Sequence, residues 1–221
     1  MPLAVQRLIF VAFTCAVGVA LLALFFYGSA RFNHYDSTLT AHLLAPTGSA
    51  RERLAEATSA GGNFGPLALG LLLVVGLGLI WKRPWYLLAG VAVFVLANAS
   101  TQIMKLVLAH PRLQGALGVS YPIGIGYPSG HTTGALSLGF ALWVTAPPRW
   151  RGWAALFGLV YATAVGLGVI IAGWHFISDV IGAILVVGFW AALVLAALVQ
   201  ANQETPADWL PRSELGPKPA K

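Results

Sequence analysis

Six long apolar segments constrain the fold of this chain more than any other feature of its sequence. They cover residues 8–27, 66–81, 85–108, 130–146, 153–173 and 178–200. A helix that crosses a bilayer needs about 20 apolar residues. The chain is 58% hydrophobic and only 9% charged, which lies outside the range of soluble domains. The sequence therefore predicts an all-α fold, an integral membrane bundle of six transmembrane helices.

The apolar segments divide the chain into four predicted parts. These are a first transmembrane helix in residues 1–30, an outer-face amphipathic loop in 31–64, a core of transmembrane helices in 65–200 and a disordered cytoplasmic tail in 201–221. The first segment exceeds the apolar stretch of about 7 to 15 residues in a signal peptide, so we expect it to be retained. Leucines interleaved with charges in the loop permit one or two short interfacial helices, or a solvated loop.

The distribution of basic residues predicts the orientation in the membrane. With the N-terminus inside, a large set of basic residues would face the cytoplasm. They are Arg7, Lys82, Arg83, Arg149, Arg151, Arg212, Lys218 and Lys221. The formal net charge of +6 is therefore interpreted as a topology signal and not as a sign of nucleic-acid binding. The remaining polar clusters then meet at the outer face, which disfavours a channel whose ionisable residues would line a path across the bilayer.

One of these clusters pairs an imidazole with a carboxylate. His175 and Asp179 are four residues apart at the start of the last apolar segment, so in a helix they would share a face. The carboxylate would fix the tautomer of the ring and leave its other nitrogen free to attack an electrophile. A hydrogen-bonded pair at the water boundary, without catalytic function, would have the same spacing.

Two further clusters on the same face suit an oxyanion. Lys105 and Arg112 are cations, and the guanidinium fork of Arg112 matches two oxygens of a phosphoryl group. Ser129 offers a hydroxyl group. The backbone amides of Gly130 and His131 would lie at the N-terminus of a helix, where anions bind. Together these groups predict a pocket for a phosphoryl group.

The two histidines would divide the work of phosphoryl transfer. His175, oriented by Asp179, would attack phosphorus and form a phosphohistidine, while His131 would protonate the departing oxygen and later activate water. No metal or other cofactor is needed for this scheme, because cations and amides would cover the developing charge. A zinc site formed by His110 with the other two histidines is the alternative, but their spacing is not that of metal ligands.

The three clusters together resemble the signature of the type 2 phosphatidic acid phosphatase superfamily. These membrane lipid phosphatases are related to vanadium haloperoxidases, and their motifs are Lys-x6-Arg-Pro, Pro-Ser-Gly-His and Ser-Arg-x5-His-x3-Asp. The matching segments here are residues 105–112, 128–131 and 175–179. The resemblance implies a bundle of six transmembrane helices that acts on a membrane lipid.

The resemblance also implies a role for each site residue. His175 would be the nucleophile, Asp179 its orienting carboxylate and His131 the general acid. The phosphate-binding residues would be Lys105, Arg112, Ser129 and Gly130. The implied substrates are phosphatidic acid, phosphatidylglycerophosphate, undecaprenyl pyrophosphate or lipid A phosphate, handled at the periplasmic face of a bacterial inner membrane.

Two departures from the family pattern leave other functions open. Leu113 replaces the proline of the first motif, and Gly168 and Val169 replace the Ser-Arg pair of the third. Loss of a guanidinium from an oxyanion site typically costs about 2 to 4 kcal/mol of transition-state stabilisation. The sequence is therefore compatible with a lipid phosphatase, with a lipid phosphotransferase, and with a non-catalytic protein that binds or transports phospholipids.

Overall fold

The computed structural model describes residues 1–108 and 126–201, and this part of the chain is helical without strands. Its α-helices are α1 (Leu3–Leu22), α2 (Ala30–Ala41), α3 (Ala50–Ala60), α4 (Phe64–Ile80), α5 (Pro84–Val107), α6 (Gly130–Thr145), α7 (Pro148–Ile171) and α8 (Ile177–Gln200). A π-helical turn, Ala23–Tyr27, continues α1. The prediction of an all-α fold is confirmed. Residues 202–221 of the tail that was predicted to be disordered lie outside the described part of the chain.

Four of the described helices are long and apolar enough to cross a membrane. They are Leu3–Phe25, α5, α7 and α8. Helices α3 and α4 are bent by 47° at their junction and would add a fifth span if the pair crosses as one. Helix α6 has 16 residues, a rise of about 24 Å against a hydrocarbon core of about 30 Å. The described residues thus indicate an integral membrane protein with four or five candidate spans, and the predicted count of six is not confirmed.

Two boundaries differ from the sequence-based expectation. Helix α7 begins at Pro148, five residues before the predicted start, because proline suits the first position of a helix. The segment 31–64, which was predicted to be an outer-face loop, contains helix α3 and nearly all of α2. Helix α3 begins with a side-chain cap, since the hydroxyl oxygen of Ser49 accepts a hydrogen bond from the backbone amide of Glu52 at 3.1 Å. Of the two interpretations, short helices or a solvated loop, the structure supports the helices.

Helix α6 lies at the centre of the bundle and contacts α4, α5, α7 and α8. Small residues allow these close approaches, as is usual between membrane helices. A Cβ atom at Gly139 would lie 2.9 Å from the Cα atom of Gly158 in α7, and one at Gly90 in α5 would lie 2.9 Å from the Cα atom of Ala141. The second half of α6 is thereby held against α5 and α7.

We expect Gly139→Ala to lower the free energy of unfolding by about 1 to 3 kcal/mol, because the added methyl group separates α6 from α7. Gly152→Ala in α7 is the matched control, since a Cβ atom there meets open space. The control should be neutral or stabilising by up to about 1 kcal/mol. Reversible unfolding of both variants in detergent measures the difference. Equal effects would contradict the close packing of α6 on α7.

Candidate active site

His175 and Asp179 lie where α7 is connected to α8. Atom Nδ1 of His175 is 3.1 Å from Oδ2 of Asp179, whose side chain is buried in the first turn of α8. The same carboxylate oxygen accepts a hydrogen bond from the backbone amide of Phe176 at 3.0 Å. One carboxylate therefore holds both the ring and the turn that carries it, and Nε2 of His175 is not engaged by this pair.

The Pro-Ser-Gly-His segment lies directly against this turn. The backbone amide of Ser129 donates to the carbonyl oxygen of Asp179 at 3.0 Å. The hydroxyl oxygen of Ser129 caps α6, accepting from the backbone amide of Thr132 at 3.3 Å and from its hydroxyl group at 3.0 Å. Ser129 is fully buried. The structure thus shows this residue as a helix cap that joins the second motif to the third.

Lys105 approaches the N-terminus of α6 from α5. A Cβ atom at Gly130 would lie 3.1 Å from Nζ of Lys105 and 3.7 Å from Nε2 of Gln102. The glycine therefore leaves the first turn of α6 open to the ammonium group. Arg112 lies outside the described residues, as do His110 and Leu113, so the first motif is described at Lys105 alone.

His131 faces both the third motif and the junction of α3 with α4. Its ring centroid is 6.3 Å from that of His175 and 5.5 Å from that of Trp174. Its Nε2 atom lies 3.0 Å from Oδ1 of Asn63. No side chain fits at Gly62, because a Cβ atom there would lie 2.7 Å from the Cβ atom of His131. The bend between α3 and α4 therefore brings Asn63 to the histidine.

The contact of Asn63 with His131 was not expected from the sequence. An asparagine directly before an apolar helix has the usual appearance of a helix cap. Asn63 does occupy the N-cap position of α4, but its side chain makes no capping hydrogen bond. Its side chain contacts His131 instead, and only the packing of α4 beside α6 reveals this.

The structure places Gly168 and Val169 at the contact of α7 with α3. A Cβ atom at Gly168 would lie 2.8 Å from the carbonyl oxygen of Ala55 and 2.8 Å from the hydroxyl oxygen of Ser59. Val169 is fully buried, and its carbonyl oxygen accepts from the backbone amides of Trp174 and His175 at 2.9 and 3.1 Å. Helix α3 therefore fills the space that the serine of the family motif would need.

A cavity of about 720 Å³ opens beside Lys105, Gly130 and His131. The amide side chains of Asn63, Asn98 and Gln102 line its polar end. Apolar side chains from α4 and α5 form the rest of its wall. These are Phe64, Leu67, Ala68, Leu71, Leu72 and Phe94. A molecule with an anionic head and an apolar tail would match this distribution.

The fold and the site together define a helical membrane protein with a histidine–carboxylate pair beside a cationic helix N-terminus. The model of the PAP2 superfamily matches residues 60–204, and the chain belongs to that superfamily. The comparison with curated proteins found no match.

One similar solved structure is the crystal structure of a transmembrane PAP2-type phosphatidylglycerolphosphate phosphatase from Bacillus subtilis. It has a TM-score of 0.66 and 17% sequence identity, covering 87% of this chain and 96% of the other. At this identity the likeness shows the fold alone. The resemblance drawn from the three motifs is confirmed at the level of the family.

We expect Gly62→Ala to slow phosphate release from a lipid phosphate by about 10- to 100-fold, because the methyl group would displace His131 from its present position. Gly65→Ala is the matched control, since a Cβ atom there meets nothing within 4 Å. Initial rates of the two purified variants test this expectation. Equal rates would show that the contact of Gly62 with the histidine has no bearing on turnover.

Proposed function

We propose that this protein is a membrane-embedded lipid phosphate or pyrophosphate phosphatase that acts through a phosphohistidine intermediate. The observation that carries the proposal is the pairing of His175 with Asp179 at 3.1 Å, beside His131 and the start of α6. Membership of the PAP2 superfamily and the fold shared with a membrane phosphatase support it. The roles of the individual residues are part of the proposal.

In the first proposed step, Nε2 of His175 attacks phosphorus in line while Asp179 holds the proton at Nδ1. A P–N bond forms, the P–O bond to the lipid breaks, and the departing oxygen takes a proton from His131. Asn63 aims this second ring, with its side-chain oxygen 3.0 Å from Nε2 of His131. The carboxylate stabilises the positive charge that develops on the attacking ring.

In the second proposed step, His131 removes a proton from water, the hydroxide attacks phosphorus and the P–N bond breaks. Phosphate leaves and His175 returns to its neutral form. In both steps Lys105, Arg112, Ser129 and the amide of Gly130 would hold the phosphoryl oxygens. The amide of Gly130 is held in place by α6, so it needs no reorganisation as charge moves onto the oxygens.

The proposed substrates are phosphatidic acid, phosphatidylglycerophosphate, undecaprenyl pyrophosphate and lipid A phosphate. The apolar wall of the 720 Å³ cavity suits an acyl or isoprenyl chain, with the head group directed toward Lys105. The solved structure with the same fold is a phosphatidylglycerolphosphate phosphatase, which makes that lipid the first to test. The distribution of basic residues supports an orientation with the site away from the cytoplasm, and the proposed location is a bacterial inner membrane with the site facing the periplasm.

Phosphate release by the purified protein in detergent with EDTA, from each of these lipids, tests the proposed function. We expect release without added metal and a loss of at least about 10³-fold in His175→Ala, since removal of the nucleophile removes the covalent path. His42→Ala, which changes an exposed histidine at the end of α2, is the control and should retain the wild-type rate.

Other outcomes of this assay would favour the remaining hypotheses. A labelled lipid product without free phosphate would indicate a phosphotransferase that passes the group from His175 to a lipid acceptor. Binding of phospholipid head groups that survives His175→Ala, in a wild-type protein without turnover, would indicate a non-catalytic binding or transport protein. Val169 motivates this last hypothesis, because it removes the guanidinium of the third motif.

We expect kcat/KM for the lipid to fall on both sides of a pH optimum. The proposed scheme requires a neutral His175 to attack phosphorus and a protonated His131 to assist the leaving group, and the fraction of molecules that meets both conditions falls at low and at high pH. Profiles of the wild type and His131→Gln test the assignment. The alkaline fall should disappear in the variant, and a flat wild-type profile would contradict the division of roles.

A further inference from the structure

The start of α8 is held by a helix that lies outside the segment matched by the family model. Helix α2 precedes residues 60–204. Oδ1 of Asp36 in α2 accepts a hydrogen bond from the backbone amide of Ser178 at 3.2 Å, and Oδ2 accepts from the hydroxyl group of Ser178 at 2.5 Å. One turn later, the hydroxyl oxygen of Thr40 accepts from the backbone amide of Ile177 at 3.3 Å.

These contacts are removed from water. The exposed fractions are 3% for Asp36, 0% for Thr40 and 2% for Ser178. A carboxylate at such burial is costly unless it is hydrogen-bonded, and here it accepts from a backbone amide that the first turn of a helix leaves without an intrahelical partner. Residues four apart share a helix face, so Asp36 and Thr40 form one two-point contact with α8.

The two amides that α2 binds belong to the turn that carries the proposed nucleophile. Within this turn, the amides of residues 174 and 175 donate to the carbonyl oxygen of Val169, that of 176 to the side chain of Asp179, and that of 179 to the carbonyl oxygen of Phe176. The amides of residues 177 and 178 donate to Thr40 and Asp36. Each backbone amide from 174 to 179 thus has a defined acceptor, and two of these acceptors, Thr40 and Asp36, come from a distant part of the chain.

We propose that Asp36 and Thr40 are positioning residues for His175. They hold the backbone between His175 and Asp179. This keeps Nδ1 of the imidazole within hydrogen-bond distance of the carboxylate and directs Nε2 toward the substrate phosphorus. This inference rests on the proposed phosphatase function. Neither residue touches the reacting atoms, so their loss should slow the chemical step and leave lipid binding nearly unchanged.

The kinetic test compares variants that remove or keep the acceptors. Asp36→Leu and Thr40→Val remove them, whereas Asp36→Asn and Thr40→Ser each retain an oxygen that can accept from the backbone amide. We expect kcat to fall about 10- to 100-fold in the first pair, as for other small displacements of a reacting group, with KM within about twofold of the wild type. The second pair should recover most of the rate.

Ser37→Ala is the matched control. Ser37 is a buried hydroxyl residue of the same helix, but its hydroxyl group donates to the carbonyl oxygen of His34 within α2 at 2.8 Å. This variant should keep the wild-type kcat, although it too removes a buried hydrogen bond from α2. An equal loss of kcat in Ser37→Ala and Thr40→Val would overturn the proposal, because it would show a general effect on the stability of the helix.

Amide hydrogen exchange in lipid nanodiscs gives a second measurement that is independent of turnover. Peptides that cover residues 174–179 should exchange faster in Thr40→Val and in any folded Asp36→Leu protein, with no change in Ser37→Ala. Wild-type exchange and wild-type kcat in Thr40→Val would overturn the proposal even if Asp36→Leu fails to fold. A wild-type protein that releases no phosphate would overturn the proposed function. In that case the exchange rates of residues 174–179 in the variants would still show whether α2 anchors this turn.

Discussion

The carboxylate of Asp179 is the interaction on which the site depends. Its Oδ2 atom binds the ring of His175 and the backbone amide of Phe176, and its backbone carbonyl oxygen accepts from the amide of Ser129. One buried residue therefore joins the histidine, the first turn of α8 and the start of α6. In a dry interior each of these donors needs an acceptor, so the same contacts that satisfy the helix ends also set the geometry of the proposed active site.

Helix ends also determine the electrostatics of this site. Helices α4, α6 and α8 begin near one another, at Asn63, Ser129 and Phe176, so that the positive ends of three helix dipoles face the same region. Lys105, in the last turn of α5, adds a full positive charge there. An anionic group there would meet the backbone donors of these helix N-termini and the charge of Lys105, an arrangement of the kind that stabilises developing charge in phosphoryl transfer.

Local patterns in the sequence predicted a large part of this arrangement, and long-range packing determined the rest. The helical class, the pairing of His175 with Asp179 and the approach of Lys105 to Gly130 follow from hydropathy, spacing and motif order. The contacts of Asn63 and Asp36 could not be predicted in this way, because they join segments 68 and 142 residues apart. In the sequence, Asn63 looks like an ordinary helix cap, and Asp36 is one of several charged residues in the polar segment 31–64.

Helix α3 connects two features of the site: the replacement of the family's Ser-Arg pair by Gly168 and Val169, and the contact of Asn63 with His131. Helix α3 approaches α7 closely because Gly168 has no side chain to meet Ala55 and Ser59. The chain leaves α3 through a bend of 47° and places Asn63 against His131. A serine at 168 would push α3 outward, and Asn63 with it. The glycine at 168 and the contact of Asn63 with His131 therefore belong to one packing arrangement of α3, in which a neutral amide lies beside a site that has one guanidinium fewer than the family motif.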